Sequence, residues 1–165
     1  MTLSTTRPRH FPLTFLTLAL ATALSADAAA AQSTSDEEAV RTVVTTLFDA
    51  MAARDTAAMS ALFAPDARFA GLGREGVSYT TPAEFLSAVA GATGPAWIER
   101  TYDTDVKIDG PLASVWTYYT LHVGEQFSHC GYDAFQMLKI DGTWKIVHLA
   151  DSRRRDGCSR TDASG

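Results

Sequence analysis

The stretch that decides the fold is VWTYYTLHVGEQFSHCGYDAFQMLKIDGTWKIVHLAD, residues 115–151. Its aliphatic and aromatic residues predict three antiparallel strands over residues 115–123, 126–140 and 143–151. Two short turns, Gly124-Glu125 and Asp141-Gly142, separate them. Asp-Gly favours a two-residue hairpin turn, because both central residues of that turn take positive φ. The stretch therefore predicts a three-stranded meander.

Counting outward from two-residue turns predicts the register of this meander. Trp116 is expected opposite Asp133, Asp133 opposite Ala150, and Phe135 opposite His148. Because side chains alternate along a strand, one face should combine aromatic rings with titratable groups. Its predicted members are Trp116, Tyr118, His122, His129, Asp133, Phe135, Met137, Trp144, Ile146 and His148. The other face is mostly aliphatic and is typical of packing surface.

The mixed face predicts a small-molecule pocket with acid–base residues. Its candidate catalytic residues are Asp133, His148, His129 and Tyr118. Its candidate ligand-binding residues are Trp116, Phe135, Trp144, His122 and Met137. An acid within an apolar strand is expected to have a raised pKa, which suits a general acid or base. Two structural alternatives stay open: an ion pair between Asp133 and Arg100 or Arg153, and a hydrogen-bonded core role for His148.

Composition limits the other classes of function. A chain of 165 residues suits one domain with a sizeable core. Its net charge of −5 argues against nucleic-acid binding, which depends on Lys and Arg. The histidines lie on different strands without zinc-site spacing, so no metal site is predicted. The run Arg153–Arg155 is interpreted as a solvated face.

Residues 1–31 have the pattern of a signal peptide. Arg7, Arg9 and His10 precede an apolar segment over residues 11–24, and small residues end it at Ala31. We therefore expect export to a periplasmic or extracellular location, with an uncleaved anchor as the alternative and no stable membrane insertion after cleavage. In an oxidising compartment the two cysteines, Cys130 and Cys158, favour a disulfide over a buried Cys130 with a free Cys158.

Before the meander the sequence predicts three helices. Ser35 and Glu38 form a capping box for a helix to about Ala53, Asp55 caps a short second helix, and Thr81 to Glu84 caps a third. A glycine-rich loop is expected over residues 71–76, and a strand over 97–108. Helices gathered on one face of an antiparallel sheet define the α+β class. A strongly curved sheet wrapped around its N-terminal helices would form a cone with one open mouth.

This arrangement resembles the nuclear transport factor 2-like (NTF2-like) superfamily, also called cystatin-like, in its SnoaL-like and lumazine-binding branch. The resemblance covers residues 36–158. Its carriers are ARD at 53–55, LFAPDA at 62–67, VWTYY at 115–119, SHCGYDAF at 128–135 and DGTWKI at 141–146. It implies one domain over residues 32–160, a tail over 161–165, a cone-shaped pocket, a homodimer packed through the sheet and no cofactor.

Two hypotheses about function follow. In the first, an unknown small-molecule ligand enters the cone, and the acid–base residues act as a cofactor-free lyase or isomerase. In the second, the domain is a non-catalytic binding or dimerisation module whose cone is filled. An open cavity beside Asp133 would favour the first hypothesis.

Overall fold

The computed structural model describes residues 16–73 and 75–159. The cationic start of the predicted signal peptide and the predicted tail at 161–165 lie outside the described residues. The described residues fall into two compact units, one that ends at Ser35 and one that begins at Asp36. In the first unit, residues 16–35 are helical. No helix among the described residues combines the length and the apolar character needed to cross a membrane.

The helices are α1 (Leu16–Ala53), α2 (Thr56–Leu62) and α3 (Pro82–Gly91). The predicted helix start at Ser35 is wrong, because α1 continues through this position from an alanine-rich segment of high helix propensity. The other two starts are confirmed. Asp55 accepts a hydrogen bond from the backbone N–H of Ala58 (3.0 Å), and Thr81 forms the capping box of α3.

One six-stranded sheet packs against the helices, in the order β2-β1-β6-β5-β4-β3. The strands are β1 (Phe63–Gly73), β2 (Gly76–Thr80), β3 (Trp97–Asp109), β4 (Leu112–Val123), β5 (Gln126–Ile140) and β6 (Thr143–Ser152). All neighbours are antiparallel except β1 and β6, which run parallel. The glycine-rich segment predicted as a loop instead forms the hairpin of β1 and β2. The predicted α+β, cystatin-like architecture is confirmed.

A β-bulge beside the first turn changes the register of β4 against β5. Val123 faces Gln126 and His122 faces Phe127, as a two-residue turn requires, but Leu121 faces His129. Ser128 is therefore an extra residue on β5. Every pair beyond it shifts by one, so that Trp116 faces Ala134 rather than Asp133. Because side chains alternate, this shift places Trp116 and Tyr118 on the face opposite Asp133.

A second bulge changes the register of β5 against β6. The turn at Asp141-Gly142 has the predicted positive φ at both residues (49° and 78°). Met137 faces Ile146, but Gln136 faces His148, so Val147 is the extra residue. The predicted pairing of Phe135 with His148 is therefore wrong, and Phe135 faces Leu149 instead.

The inner face of the sheet packs on α1. Val40, Val44 and Leu47 of the helix are buried together with Phe135, Met137 and Ile146 of the sheet. The rings of Phe48 and Phe135 meet edge to face with centroids 6.1 Å apart. The packing is closed at this end of the cone. Toward the other end the wall residues diverge and leave a cavity.

Beyond Ser152 the chain runs alongside β5. Cys130 and Arg154 exchange two backbone hydrogen bonds, each 2.9 Å long. The predicted disulfide between Cys130 and Cys158 is present in the structure. At Gly131 an added Cβ would lie only 1.7 Å from the carbonyl oxygen of Ser152, so the close approach of these two segments requires glycine.

Candidate functional site

A cavity of about 390 Å³ opens between the curved sheet and the helices. This volume falls within the usual range for small-molecule sites. The walls are mainly apolar and aromatic: Phe48, Met51, Phe69, Phe85, Trp97, Leu121, Val123 and Leu149. The polar groups of the cavity are Glu99, His129, Asp133, Asp151 and Arg153, with Ser78, Thr80 and Ser128. The predicted cone is therefore open rather than filled.

Two carboxyl groups, Glu99 of β3 and Asp133 of β5, meet in this cavity. Both lie on the inner face of the sheet, because Glu99 pairs with Leu121 and Asp133 pairs with Thr117, four residues away on β4. Their side chains are hydrogen-bonded to one another. A hydrogen bond between two carboxyl groups requires one proton, so the pair holds a carboxylic acid beside a carboxylate.

Burial controls the titration of this pair. Burial raises the pKa of Glu99 well above its usual value, and the negative charges of Asp133 and Asp151 raise it further. Burial also raises the pKa of Asp133 to about 7, although the hydrogen bond with Glu99 acts in the opposite direction. Near neutral pH, Glu99 is therefore the acid of the pair and Asp133 is the group that changes charge.

Asp133 also has an oxygen without a partner. It is 3% exposed, and no donor among the described residues reaches its Oδ2 atom. A buried carboxylate oxygen without a hydrogen bond is costly. A ligand in the cavity would be the natural donor to this atom.

A third acidic group, Asp151 at the end of β6, lies opposite Asp133 in the register. Its Oδ2 atom accepts a hydrogen bond from Nε of Arg153 at 2.7 Å. Its Oδ1 atom has no donor among the described residues and would lie 2.6 Å from a Cβ added at Gly71. The ion pair offsets the charge of Asp151, so the charge of Asp133 dominates the interior of the cavity.

His129 lies on the same face as Asp133, as predicted, and lines the cavity. Its Nδ1 atom is 3.0 Å from the hydroxyl of Ser128, the bulge residue, and its ring meets that of Tyr119 edge to face. Burial lowers the pKa of His129, and the positive charge of Arg153 lowers it further. His129 is thus held as a neutral imidazole at the cavity wall.

The structure does not bring three other predicted residues to the cavity. Tyr118 lies on the outer face, where its hydroxyl donates to the carbonyl of Ser159 at 2.6 Å. Trp116 is 53% exposed on the same face. His148 faces Gln136 on the outer side of β6. The two bulges separate all three from Asp133, so the predicted grouping of Asp133 with His148 and Tyr118 is wrong.

The remaining predicted wall residues are buried but do not line the cavity. Phe135 and Met137 share the inner face with Asp133 and belong to the packed core. Trp144 is also in the core, and its indole N–H donates to Asp36 at 3.3 Å. His122 is buried beside Phe127, with its Nδ1 atom 3.4 Å from the guanidinium of Arg100. Arg100, one proposed partner of Asp133, therefore contacts a different residue.

Sequence analysis named neither Glu99 nor Asp151 as a site residue. Glu99 alternates with Trp97 and Thr101 on one face of the predicted strand, which was the only sign of its role. The other face of that strand also carries a polar residue, Arg100. Alternation alone did not show that the face of Glu99 pointed inward. No group of three or more metal-ligating side chains suited to an ion occurs in the described part of the chain.

A cone-shaped α+β domain with a cavity against a curved sheet is the NTF2-like, cystatin-like fold. Residues 35–150 match the family described as "Putative lumazine-binding". The match covers well over half of the chain, and the protein therefore belongs to this family. No curated protein matches the sequence significantly.

Solved structures support the same fold at low sequence identity. An NTF2-like protein with a cystatin-like fold from Novosphingobium aromaticivorans has 16% identity and a TM-score of 0.70, over 84% of this chain and 94% of that one. A protein described as a putative scytalone dehydratase from the same organism has 12% identity and a TM-score of 0.63, over 79% and 93%. A putative dehydratase of the NTF2-like family from Streptomyces avermitilis has 18% identity and a TM-score of 0.59, over 73% and 96%.

Proposed function

We propose that this protein binds a small organic molecule in its cone and performs cofactor-free acid–base chemistry of the lyase or isomerase type. The hydrogen-bonded pair of Glu99 and Asp133 carries the proposal. Two carboxyl groups that share a proton at an apolar cavity, one of them with a pKa of about 7, are suited to proton transfer near neutral pH. Two of the similar structures are described as putative dehydratases, which is the same class of chemistry.

The proposed step begins with Asp133 as the base. Its carboxylate takes a proton from a carbon next to a carbonyl group, through the Oδ2 atom that has no other donor. Glu99 retains its own proton and donates the hydrogen bond that holds Asp133 in place. The proton on Asp133 then passes to another carbon, which completes an isomerisation. If it passes instead to a hydroxyl leaving group, water departs and a double bond forms.

The test uses 2-tetralone, an apolar ketone small enough for the cavity and carrying acidic C–H bonds beside its carbonyl. Exchange of those protons in heavy water is followed by NMR. We expect the protein to accelerate exchange, with a rate that rises with pH and has its midpoint near 7, where Asp133 becomes a carboxylate. Asp133→Asn should lower the rate by about 10²–10⁴-fold, the usual contribution of a general base, while the ketone still binds.

His148→Gln is the matched control, because His148 lies on the outer face and should leave exchange unchanged. Binding of the ketone is measured by quenching of tryptophan fluorescence, to which Trp97 in the cavity wall contributes. Binding without exchange in the wild-type protein would refute the catalytic proposal and favour the non-catalytic binding module. Loss of exchange in His148→Gln would refute the assignment to this face.

We also propose that the protein acts outside the cytoplasm, after removal of the signal peptide near Ala31. The disulfide between Cys130 and Cys158 supports this, because such bonds persist in oxidising compartments. Intact-mass measurement of material secreted by the host should show a chain that begins at Gln32. A mature chain that retained residues 1–31 would contradict this proposal.

A homodimer packed through the outer face of the sheet is the last part of the proposal. Trp116 (53% exposed), Leu112 (49%) and Leu138 (38%) lie together on that face. Exposed apolar clusters of this kind are typical of interaction surfaces. A second copy would cover them.

A further inference from the structure

We propose that the ligand is an organic anion: a ring-bearing apolar body that occupies the cavity and a negatively charged group that binds Arg155 at its mouth. This inference rests on the proposed function in one respect, that the cavity is the ligand site. It adds the chemical class of the ligand and assigns a role to an arginine that sequence analysis interpreted as solvated.

The arginine run is held to β5 like a short additional strand. Arg154 exchanges two backbone hydrogen bonds with Cys130, and the disulfide of Cys130 with Cys158 ties the segment down a few residues later. Side chains of an extended segment alternate between two sides. Arg153 and Arg155 should therefore project to one side and Arg154 to the other.

The side-chain contacts agree with this alternation. Arg154 lies over the ring of Tyr118 on the outer face, 5.9 Å from its centroid. Arg153 lines the main cavity, where it binds Asp151. Arg155 lines a second, open cavity of about 420 Å³ together with Val123, Gln126, Phe127 and Ser128.

The two cavities adjoin. Val123 and Ser128 line both of them, so a ligand seated in the first can extend into the second. The first is largely apolar, with Trp97 and Phe85 in its wall. The second is open and has polar groups from Gln126, Ser128 and Arg155. The combined site has an apolar body and a polar mouth.

The interior and the mouth of this combined site differ in charge. Asp133 and Glu99 carry one negative charge in the interior, while Arg153 is offset by Asp151. Among the residues that the structure describes, no carboxylate forms an ion pair with Arg155. The positive charges of Arg153 and Arg155 both lower the pKa of His129 between the two cavities. An uncompensated guanidinium at the mouth favours an anionic group at that position.

The test compares two fluorescent dyes that share one ring system. 8-Anilinonaphthalene-1-sulfonate carries a sulfonate group, and N-phenyl-1-naphthylamine lacks it. Titrations are made in a Trp116→Phe background, which removes the exposed outer ring as a competing dye surface. Energy transfer from the two remaining tryptophans, Trp97 in the cavity wall and Trp144 in the adjoining core, then reports bound dye. We expect the sulfonate dye to bind more tightly, with an advantage that shrinks as salt is added.

Arg155→Gln should weaken binding of the sulfonate dye about fivefold, as expected for one partly solvated charge contact, and change binding of the neutral dye less than about twofold. Arg154→Gln is the matched control from the same run and should change neither. Equal weakening of both dyes by Arg155→Gln, equal effects of Arg154→Gln and Arg155→Gln, or no binding of either dye would overturn the inference.

The outcome is separable from that of the acid–base proposal. Asp133→Asn should leave the dye preference in place, because the sulfonate contact is at the mouth. If ketone exchange fails while Arg155→Gln still discriminates between the dyes, the anion site stands and the proposed catalysis falls. If exchange succeeds and the dyes bind alike, the anion site alone is refuted.

Discussion

The paired carboxyl groups of half-buried Glu99 and buried Asp133 should make the protein less stable as the pH rises from 4 to 8. The pKa of Asp133 is 3.8 in the unfolded chain and about 7 in the folded protein. The folded state therefore keeps a proton that the unfolded chain releases at low pH. The full stability is present below pH 4, declines between pH 4 and 7 and levels off above 7.

The magnitude follows from the difference between these pKa values. Each unit corresponds to about 1.4 kcal/mol, so Asp133 alone should remove about 4 kcal/mol from the free energy of unfolding. This is a large part of the about 5–15 kcal/mol typical of a domain. Glu99 acts in the same direction, because its pKa is also raised by burial.

The assay is urea unfolding followed by circular dichroism at pH 4, 6 and 8, with the disulfide intact. Between pH 4 and 8 the free energy of unfolding should fall by about 4 kcal/mol less in Asp133→Asn than in the wild type, since an amide does not ionise. The slope that remains belongs to Glu99, and the double variant with Glu99→Gln should be nearly flat. Glu125→Gln, in an exposed turn, is the control and should keep the wild-type slope.

Two results would refute this reasoning. One is a wild-type protein at least as stable at pH 8 as at pH 4. The other is an Asp133→Asn variant with the same loss of stability as the wild type. Either would mean that the two carboxyl groups do not share a proton in the folded state, and the proposed base would lose its physical support.

Three further predictions concern the framework of the site. Cys158→Ser opens a bridge between residues 28 apart in sequence, and should lower the free energy of unfolding by about 3.5 kcal/mol in chemical denaturation. Gly131→Ala should destabilise the protein by at least about 2 kcal/mol, because its Cβ would collide with a backbone carbonyl. Gly91→Ala is the control and should be neutral or stabilising, because it has open space around it. The unfolding midpoints of the two variants are compared. Trp116→Arg should convert the proposed dimer to a monomer in light scattering without loss of stability; a wild-type monomer, or a dimer that survives the substitution, would refute the sheet interface.

The sequence was sufficient to predict most of the fold because its signals are local. The Asp141-Gly142 turn, the capping box at Thr81 and the length of the last strands are each set by a few neighbouring residues. The disulfide was predictable for another reason, because a chain with only two cysteines allows only one pairing. Long-range facts were harder. The parallel pairing of β1 with β6 has no signal in either strand alone.

The candidate site was only partly predictable, because a miscount of one residue moves a side chain to the other face of the sheet. Asp133 and His129 are four residues apart on one strand, and their common face is certain whatever the neighbouring strands do. Tyr118 and His148 lie on other strands, and each was placed by counting from a turn. One uncounted residue, Ser128 or Val147, was enough to reverse each assignment. Glu99 was missed for a different reason, because alternation along β3 does not show which face of that strand points inward.

The residues that broke this count also help to form the cavity. A bulge increases the local twist of a strand and bends it, and curved sheets use bulges at the points where they turn. Ser128 lies at the mouth of the cone and Val147 lies on the last strand, below Leu149 of the cavity wall. Without these bulges the counted register would hold, and the two strands would lack this source of twist and bending. The bulges that reverse the counted faces therefore lie on β5 and β6, the same two strands that carry Asp133, His129 and Leu149 of the cavity wall.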